Sequence, residues 1–151
     1  MNQKIQLAHQ RLDAKFSTAE ANREARTVPL TFYSGATVLQ FNWENGLHNL
    51  KLSLDQGHVR MTRLQSGAAP FTRGHASPND PGSVVGVIEN AAMTNNGGKA
   101  TVRFSKRADV EPLFADVLDG ILQNVSVEAS LYKLKEITAN GDKIKTFLAT
   151  D

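Results

Sequence analysis

The chain has no cysteine among its 151 residues, which excludes disulfide frameworks, thiolate metal sites and cysteine nucleophiles. Any side-chain nucleophile of the hydrolase type must therefore be an oxygen. No run of about 18 apolar residues occurs, so the sequence predicts no transmembrane helix. The first residues also lack the short apolar core of a secretory signal.

The sequence also lacks a clear excess of positive or negative charge. The 17 Lys and Arg residues are nearly balanced by 15 Asp and Glu residues, and no segment is a basic run. A surface that tracks phosphates is therefore not indicated, and we expect protein partners rather than nucleic acid. An apolar content of 40% with 21% charged residues is typical of a globular domain and excludes wholesale disorder.

The hydrophobic pattern divides the chain into two parts. Residues 1–26 form a polar arm in which Ile5, Leu12 and Phe16 follow helical spacing, which predicts a helical or flexible N-terminal arm. Residues 27–151 predict one β domain, because short alternating runs are separated by turn residues. We predict strands over 28–33, 36–43, 47–54, 58–64, 83–92, 99–104, 121–133 and 143–149.

One helix interrupts this series. Asp109 is the predicted N-cap and Gly120 the residue after the helix, with an apolar stripe between them. The fold class is therefore mainly β with one or two helices, a barrel or a sandwich. Residues 65–82 form a long Gly- and Pro-rich stretch, and loops of this length are usually functional.

Two side chains are candidates for chemistry. His75 lies in the long loop, where a histidine can exchange protons, although most loop histidines are merely solvated. Ser126 lies between Val125 and Val127 in the predicted strand 121–133, so it points away from the core. A solvent-facing serine is ordinary, and its hydroxyl becomes a good nucleophile only beside a base. The two residues are far apart in sequence, so only tertiary structure can bring them together.

Other motifs are absent from the sequence. It contains no HExxH, EF-hand or Gly-x-Ser-x-Gly pattern. Gly97-Gly98-Lys99 lacks the spacing of a phosphate-binding loop and predicts a hairpin turn instead. We therefore expect no metal and no organic cofactor.

Several segments follow one another in a recognisable order: 26–30, 59–64, Gly67-Ala68-Ala69-Pro70, Val84-Val85-Gly86-Val87-Ile88-Glu89, 102–105 and Asp119-Gly120-Ile121-Leu122-Gln123-Asn124-Val125-Ser126-Val127. This order, from about Arg26 onward, resembles the prohead (capsid maturation) proteases of tailed bacteriophages, a family distantly similar to the herpesvirus assemblins. The two most specific marks of the resemblance are His75 and Ser126.

The resemblance implies a herpesvirus-protease-like β-barrel and a serine endopeptidase, with Ser126 as nucleophile and His75 as general base. Such enzymes sit inside the assembling prohead in the host cytoplasm. They cleave scaffold protein, the scaffolding segment of the major capsid protein and finally themselves, and some are fused to the capsid protein. The implied partners are thus scaffold, capsid protein and further copies of the chain, with no nucleic acid and no membrane.

The sequence departs from this family at two places. Glu128-Ala129 stands where the family often has Gly followed by an aromatic residue, and the chain ends at Asp151 before a further strand that carries an acidic residue. We therefore expect a domain that lacks its last strand and its third catalytic group, unless Asp151 substitutes for that group. A missing strand would expose a sheet edge along 143–149 and favour self-association.

Two alternatives remain open. The chain could be a non-catalytic β-rich module that binds scaffold or capsid protein during assembly. A β-barrel ligand binder is the third interpretation, and it rests on fold class alone.

Overall fold

The computed structural model describes residues 5–6, 14–74, 77, 79–127 and 130–151. The prediction of a mainly β fold with two helices is confirmed in this part of the chain. The helices are α1 (Thr62–Gln65) and α2 (Glu111–Leu118). The strands are β1 (Ile5–Gln6), β2 (Lys15–Phe16), β3 (Thr27–Tyr33), β4 (Thr37–Asn42), β5 (Gly46–Leu52), β6 (Pro70–Thr72), β7 (Val84–Thr94), β8 (Gly97–Phe104), β9 (Ser130–Leu131), β10 (Leu134–Glu136) and β11 (Lys145–Ala149).

The larger sheet has five antiparallel strands in the order β2-β3-β8-β7-β6. Its centre is the β7–β8 hairpin, which turns at Asn95 and Asn96, so the hairpin turn predicted from Gly97-Gly98-Lys99 is confirmed. Gly97 opens β8 at a φ of 119°, a conformation that a side chain would strain.

This sheet is strongly curved although it is open. Five strands laid flat would place β2 and β6 about 19 Å apart. Instead the ring of Phe16 on β2 and the ring of Phe71 on β6 lie 5.9 Å apart, centroid to centroid, and both pack on Phe104 of β8. Phe114 of α2 contacts Phe104 from the same side, so the concave face encloses the main core. The predicted closed barrel is not formed by the described residues, whose sheets are all open.

The second sheet has the order β10-β11-β5-β4. Asn140-Gly141 lies in the turn of the β10–β11 hairpin, with Gly141 at a φ of 92°. β11 also pairs in parallel with β5, so it is an inner strand. The expectation of an exposed edge along 143–149 is therefore wrong, because β11 has a neighbour on each side.

The strand predicted over 47–54 is confirmed as β5, but the exposure that its polar residues indicate is wrong. Lys51 and Asn49 gave the segment its polar character, but they alternate with His48 and Leu50, which are fully buried. His48 is held on both ring nitrogens, 2.8 Å from the Gly46 carbonyl and 2.9 Å from a side-chain amide. This histidine is a structural residue of the sheet.

Residues 58–64 alternate like a strand in sequence but do not form one. The Asp55 carboxylate accepts the Gly57 N–H at 2.8 Å and fixes a 3-10 turn at Gln56–His58, after which α1 begins. The apolar residues Val59 and Met61 are half-buried because the irregular chain packs against both sheets.

The N-terminal prediction is corrected in the part that is described. Lys15–Phe16 pairs with β3 instead of forming helix, and Thr18–Glu20 is a 3-10 turn. Arg26, at a φ of 57°, then ties this segment to α2 through Glu111 at 2.6 Å and through the face of Phe114. Among the described residues, no helix has the length and apolar character needed to cross a bilayer.

Candidate functional site

The segment that carries Ser126 begins where α2 ends. The predicted role of Gly120 is confirmed: at a φ of 73°, its N–H donates to Val117 and the Ile121 N–H donates to Asp116, which closes the helix as a Schellman motif. The predicted N-cap Asp109 is wrong, because its carboxylate pairs with Arg107 at 3.0 Å. That hydrogen bond also holds the pKa of Asp109 below its usual range.

Ser126 is exposed, but it does not lie on the long strand predicted over 121–133. The backbone here makes separate contacts with the N-terminal segment rather than a ladder. The Phe16 N–H donates to the Gln123 carbonyl at 3.1 Å, and the Val125 N–H donates to the Ala14 carbonyl at 3.0 Å. Asn124 forms an isolated bridge with Lys15.

The two neighbours of Ser126 face inward, as the alternating pattern predicts. Val125 packs against the main core, and Val127 packs against the smaller cluster around Tyr33 and Met93. The serine is thus held at the surface between two half-buried valines. A fixed, accessible hydroxyl of this kind satisfies the first requirement of a serine nucleophile.

His75 lies outside the described residues, as does Glu128, so the distance from Ser126 to the His75 ring is not described. Both flanks of His75 are anchored. On one side the Arg73 N–H donates to the Ser83 carbonyl at 2.8 Å, and on the other the Ser83 hydroxyl donates to the Ser77 carbonyl at 2.7 Å. Arg73 also reaches the Asp109 carbonyl at 3.1 Å.

The flanks of the two candidate residues meet on one element, β2. β6 ends three residues before His75, and its Phe71 packs edge-to-face on Phe16 of β2. β2 is also the strand that bridges to Asn124, two residues before Ser126. The fold therefore brings the described flanks of the two candidate residues to the same short strand.

Asp151, the expected substitute for the third catalytic group, is paired with Arg60. Its carboxylate forms a bidentate pair with Arg60, both contacts at 2.5 Å, and Arg60 stacks on the ring of Tyr132. The Arg60 hydrogen bond holds the pKa of this carboxyl below its usual range. Asp151 is a charge partner of Arg60, which itself lies in a segment where we had predicted a strand.

A serine–histidine pair that the sequence reasoning missed lies between β5 and α1. The Ser53 hydroxyl accepts the Asp55 N–H at 3.1 Å, and it lies 2.8 Å from Nδ1 of His58. Ser53 is 8% exposed, so a substrate has little access to its oxygen. The sequence signal for the Ser53–His58 contact was the group of turn residues after β5, because a tight turn can bring residues five positions apart into contact.

Neither a metal site nor an unbalanced cationic surface stands out. In the described ranges, no three His, Asp or Glu side chains converge as metal ligands. A shallow groove beside β8 is lined by four cations, three of which pair with nearby carboxylates. The pairs are Arg26–Glu111, Arg103–Glu89 and Arg107–Asp109.

A different surface is apolar. Leu39 and Phe41 of β4, Trp43 of the following turn and Leu47 of β5 are each at least half exposed. Phe41 lies opposite Leu47 in register, and its ring meets that of Trp43 edge-to-face at 5.6 Å. We call these four residues the β4 apolar face.

Comparison with known proteins gives a partial match. Over 76 residues, half of this chain, the sequence is 37% identical to the major capsid protein of Halomonas phage phiHAP-1. The matched region covers only 12% of that protein's length. No family model and no solved structure matches the chain.

Proposed function

We propose that this chain works in phage capsid assembly as a serine endopeptidase domain, with Ser126 as nucleophile and His75 as general base. The capsid role is supported by the similarity to a major capsid protein. The peptidase role is supported by one structural observation above all. Ser126 is exposed on a backbone segment anchored to β2, the strand on which the flank of His75 also packs.

The proposed chemistry needs no metal. The Ser126 Oγ attacks the carbonyl carbon of the scissile peptide while the His75 ring accepts the hydroxyl proton. His75 then gives that proton to the nitrogen of the leaving amine, which departs and leaves an acyl ester on Ser126. A water molecule, deprotonated by His75, hydrolyses the ester and restores both side chains.

The short match to a long capsid protein is compatible with this role. Because the matched region is about an eighth of that protein, most of its length lies elsewhere. Prohead proteases, which the sequence resembles, include forms fused to capsid proteins. The proposed substrates are accordingly scaffold protein and the scaffolding segment of a capsid protein, together with the chain itself.

A fluorophosphonate probe tests the nucleophile on the chain as it stands. We expect labelling at Ser126, identified by peptide mass mapping, and a loss of at least about a hundredfold in labelling rate for Ser126→Ala and His75→Ala. Ser53→Ala is the matched control, since Ser53 also contacts a histidine but is buried. Labelling that persists in Ser126→Ala would contradict the assignment.

A second candidate is a non-catalytic module that binds capsid or scaffold protein. The β4 apolar face favours it, because exposed apolar patches of this kind mark interaction surfaces. The fluorophosphonate labelling, measured together with binding and cleavage of capsid precursor, separates the two candidates. A folded chain that binds capsid precursor tightly but is neither labelled nor able to cleave it would identify the module.

A further inference from the structure

The β4 apolar face is unusual for the described surface because its four side chains are large, contiguous and solvent-exposed. Trp43 is 96% exposed, Phe41 61%, Leu39 55% and Leu47 52%. Leaving such residues in water forfeits the free energy that their burial would provide. β4 is also an edge strand, and among the described strands only β5 pairs with it.

We propose that a second copy of this chain covers the β4 apolar face, forming a two-fold symmetric dimer. With typical side-chain areas, the four residues expose about 500 Å² per copy, so two copies would bury about 1,000 Å² in total. This reaches the size at which specific interfaces begin. An isologous dimer needs only this one surface, because the same face serves both copies.

The charges at the two ends of the face fit such an arrangement. Glu44 lies in the turn at one end, next to Trp43, and Lys51 lies at the other end, opposite Thr37. A two-fold axis that lies in the interface and runs across the strands reverses the strand direction of the second copy. It therefore brings Glu44 of one copy toward Lys51 of the other, and the pairing occurs twice.

The dimer replaces the self-association surface expected from the sequence. That surface was an edge along 143–149, which β5 and β10 cover. β4 is an edge strand of the same sheet. Because its outward side chains are apolar, it has a stronger tendency to associate than the edge expected along 143–149.

Trp43 makes the test direct, since it is the single tryptophan of the chain. We expect sedimentation equilibrium to show a reversible monomer–dimer equilibrium, and Trp43 emission to shift to shorter wavelength as the concentration rises. Leu47→Lys and Leu39→Lys should each raise the dissociation constant at least about tenfold. Ile121→Lys is the matched control, because Ile121 is 71% exposed elsewhere, and it should change the constant less than about twofold.

The ionic contacts give a second, independent measurement. Glu44→Lys and Lys51→Glu should each weaken the dimer, and the double exchange should restore it to within a few-fold. Circular dichroism and thermal unfolding show that each variant is folded. A wild-type chain that stays monomeric, a dimer whose Trp43 emission does not shift, or a double exchange that fails to restore association would overturn the proposal.

Discussion

Among the described residues, Tyr33 is one whose protonation the fold shifts strongly. Its side chain is 3% exposed and its hydroxyl donates to the Leu52 carbonyl, which joins β3 to β5. Burial raises the pKa of the phenol from 10.0 to about 12. The unfolded chain therefore loses this proton at lower pH than the folded chain does.

The sign of the pH effect follows from that order. The Tyr33 phenol contributes its full stabilisation of the folded state below pH 10. This contribution declines as the pH rises toward 12, because in that range the phenol has lost its proton in the unfolded state but still holds it in the folded state. The loss should reach about 2–3 kcal/mol. Urea unfolding across this range should show that decline in the wild type and lack that part of it in Tyr33→Phe. Tyr132→Phe is the matched control, and an equal decline in Tyr33→Phe would contradict the prediction.

The candidate site shows which contacts of single residues can be predicted from the sequence. The inward valines beside Ser126 were predictable because two-residue alternation survives in irregular backbone that packs on one side. The Ser53–His58 contact had only the turn residues after β5 as a signal, and the strand-like alternation of the following residues disguised the 3-10 turn on which the contact depends. The pairing of Asp151 with Arg60 joins distant parts of the chain and has no local signal.

At the scale of elements, the sequence predicts those segments whose ends are marked by turn chemistry. The β7–β8 hairpin, the β10–β11 hairpin and α2 all have a glycine of positive φ at or beside the turn. The strands predicted over 58–64 and 121–133 rest on alternation alone. Some of their apolar residues, among them Val59, Met61, Val125 and Val127, pack on the clusters of the two sheets from irregular backbone, so packing here does not require a strand.

Gly97 shows how tightly one such turn is specified. A Cβ added there would overlap the carbonyl oxygen of Tyr33, and the φ of 119° is unfavourable for any side chain. Gly97→Ala should therefore destabilise the chain by more than about 2 kcal/mol, measured by urea unfolding. Gly46→Ala is the control, because Gly46 has a φ of 63° but open space around its Cβ position. It should cost only about 1 kcal/mol, and equal losses would show that the Tyr33 contact is unimportant.

At the scale of the whole molecule, the curvature of the larger sheet could not be predicted from the sequence. Strand propensity predicts at most that β2 and β6 are short strands. Their contact across the concave face depends on the twist that accumulates over five strands, which propensity does not describe. The ring contacts of Phe16 with Phe71 and Phe104 record that curvature. They also connect the N-terminal segment to both flanks of the candidate site.

Removing this connection tests whether the site depends on the global shape. Phe16→Ala should destabilise the chain by about 2–4 kcal/mol, because the ring is shared by both edges of the sheet. It should also speed hydrogen exchange at the Val125 amide, which donates to the Ala14 carbonyl next to β2. Phe41→Ala, at a concentration where the chain is monomeric, is the matched control, since Phe41 is 61% exposed and lies far along the chain from β2. If Phe16→Ala left the exchange of Val125 as slow as in the control, the support of the Ser126 segment would have to come from the valines alone rather than from β2.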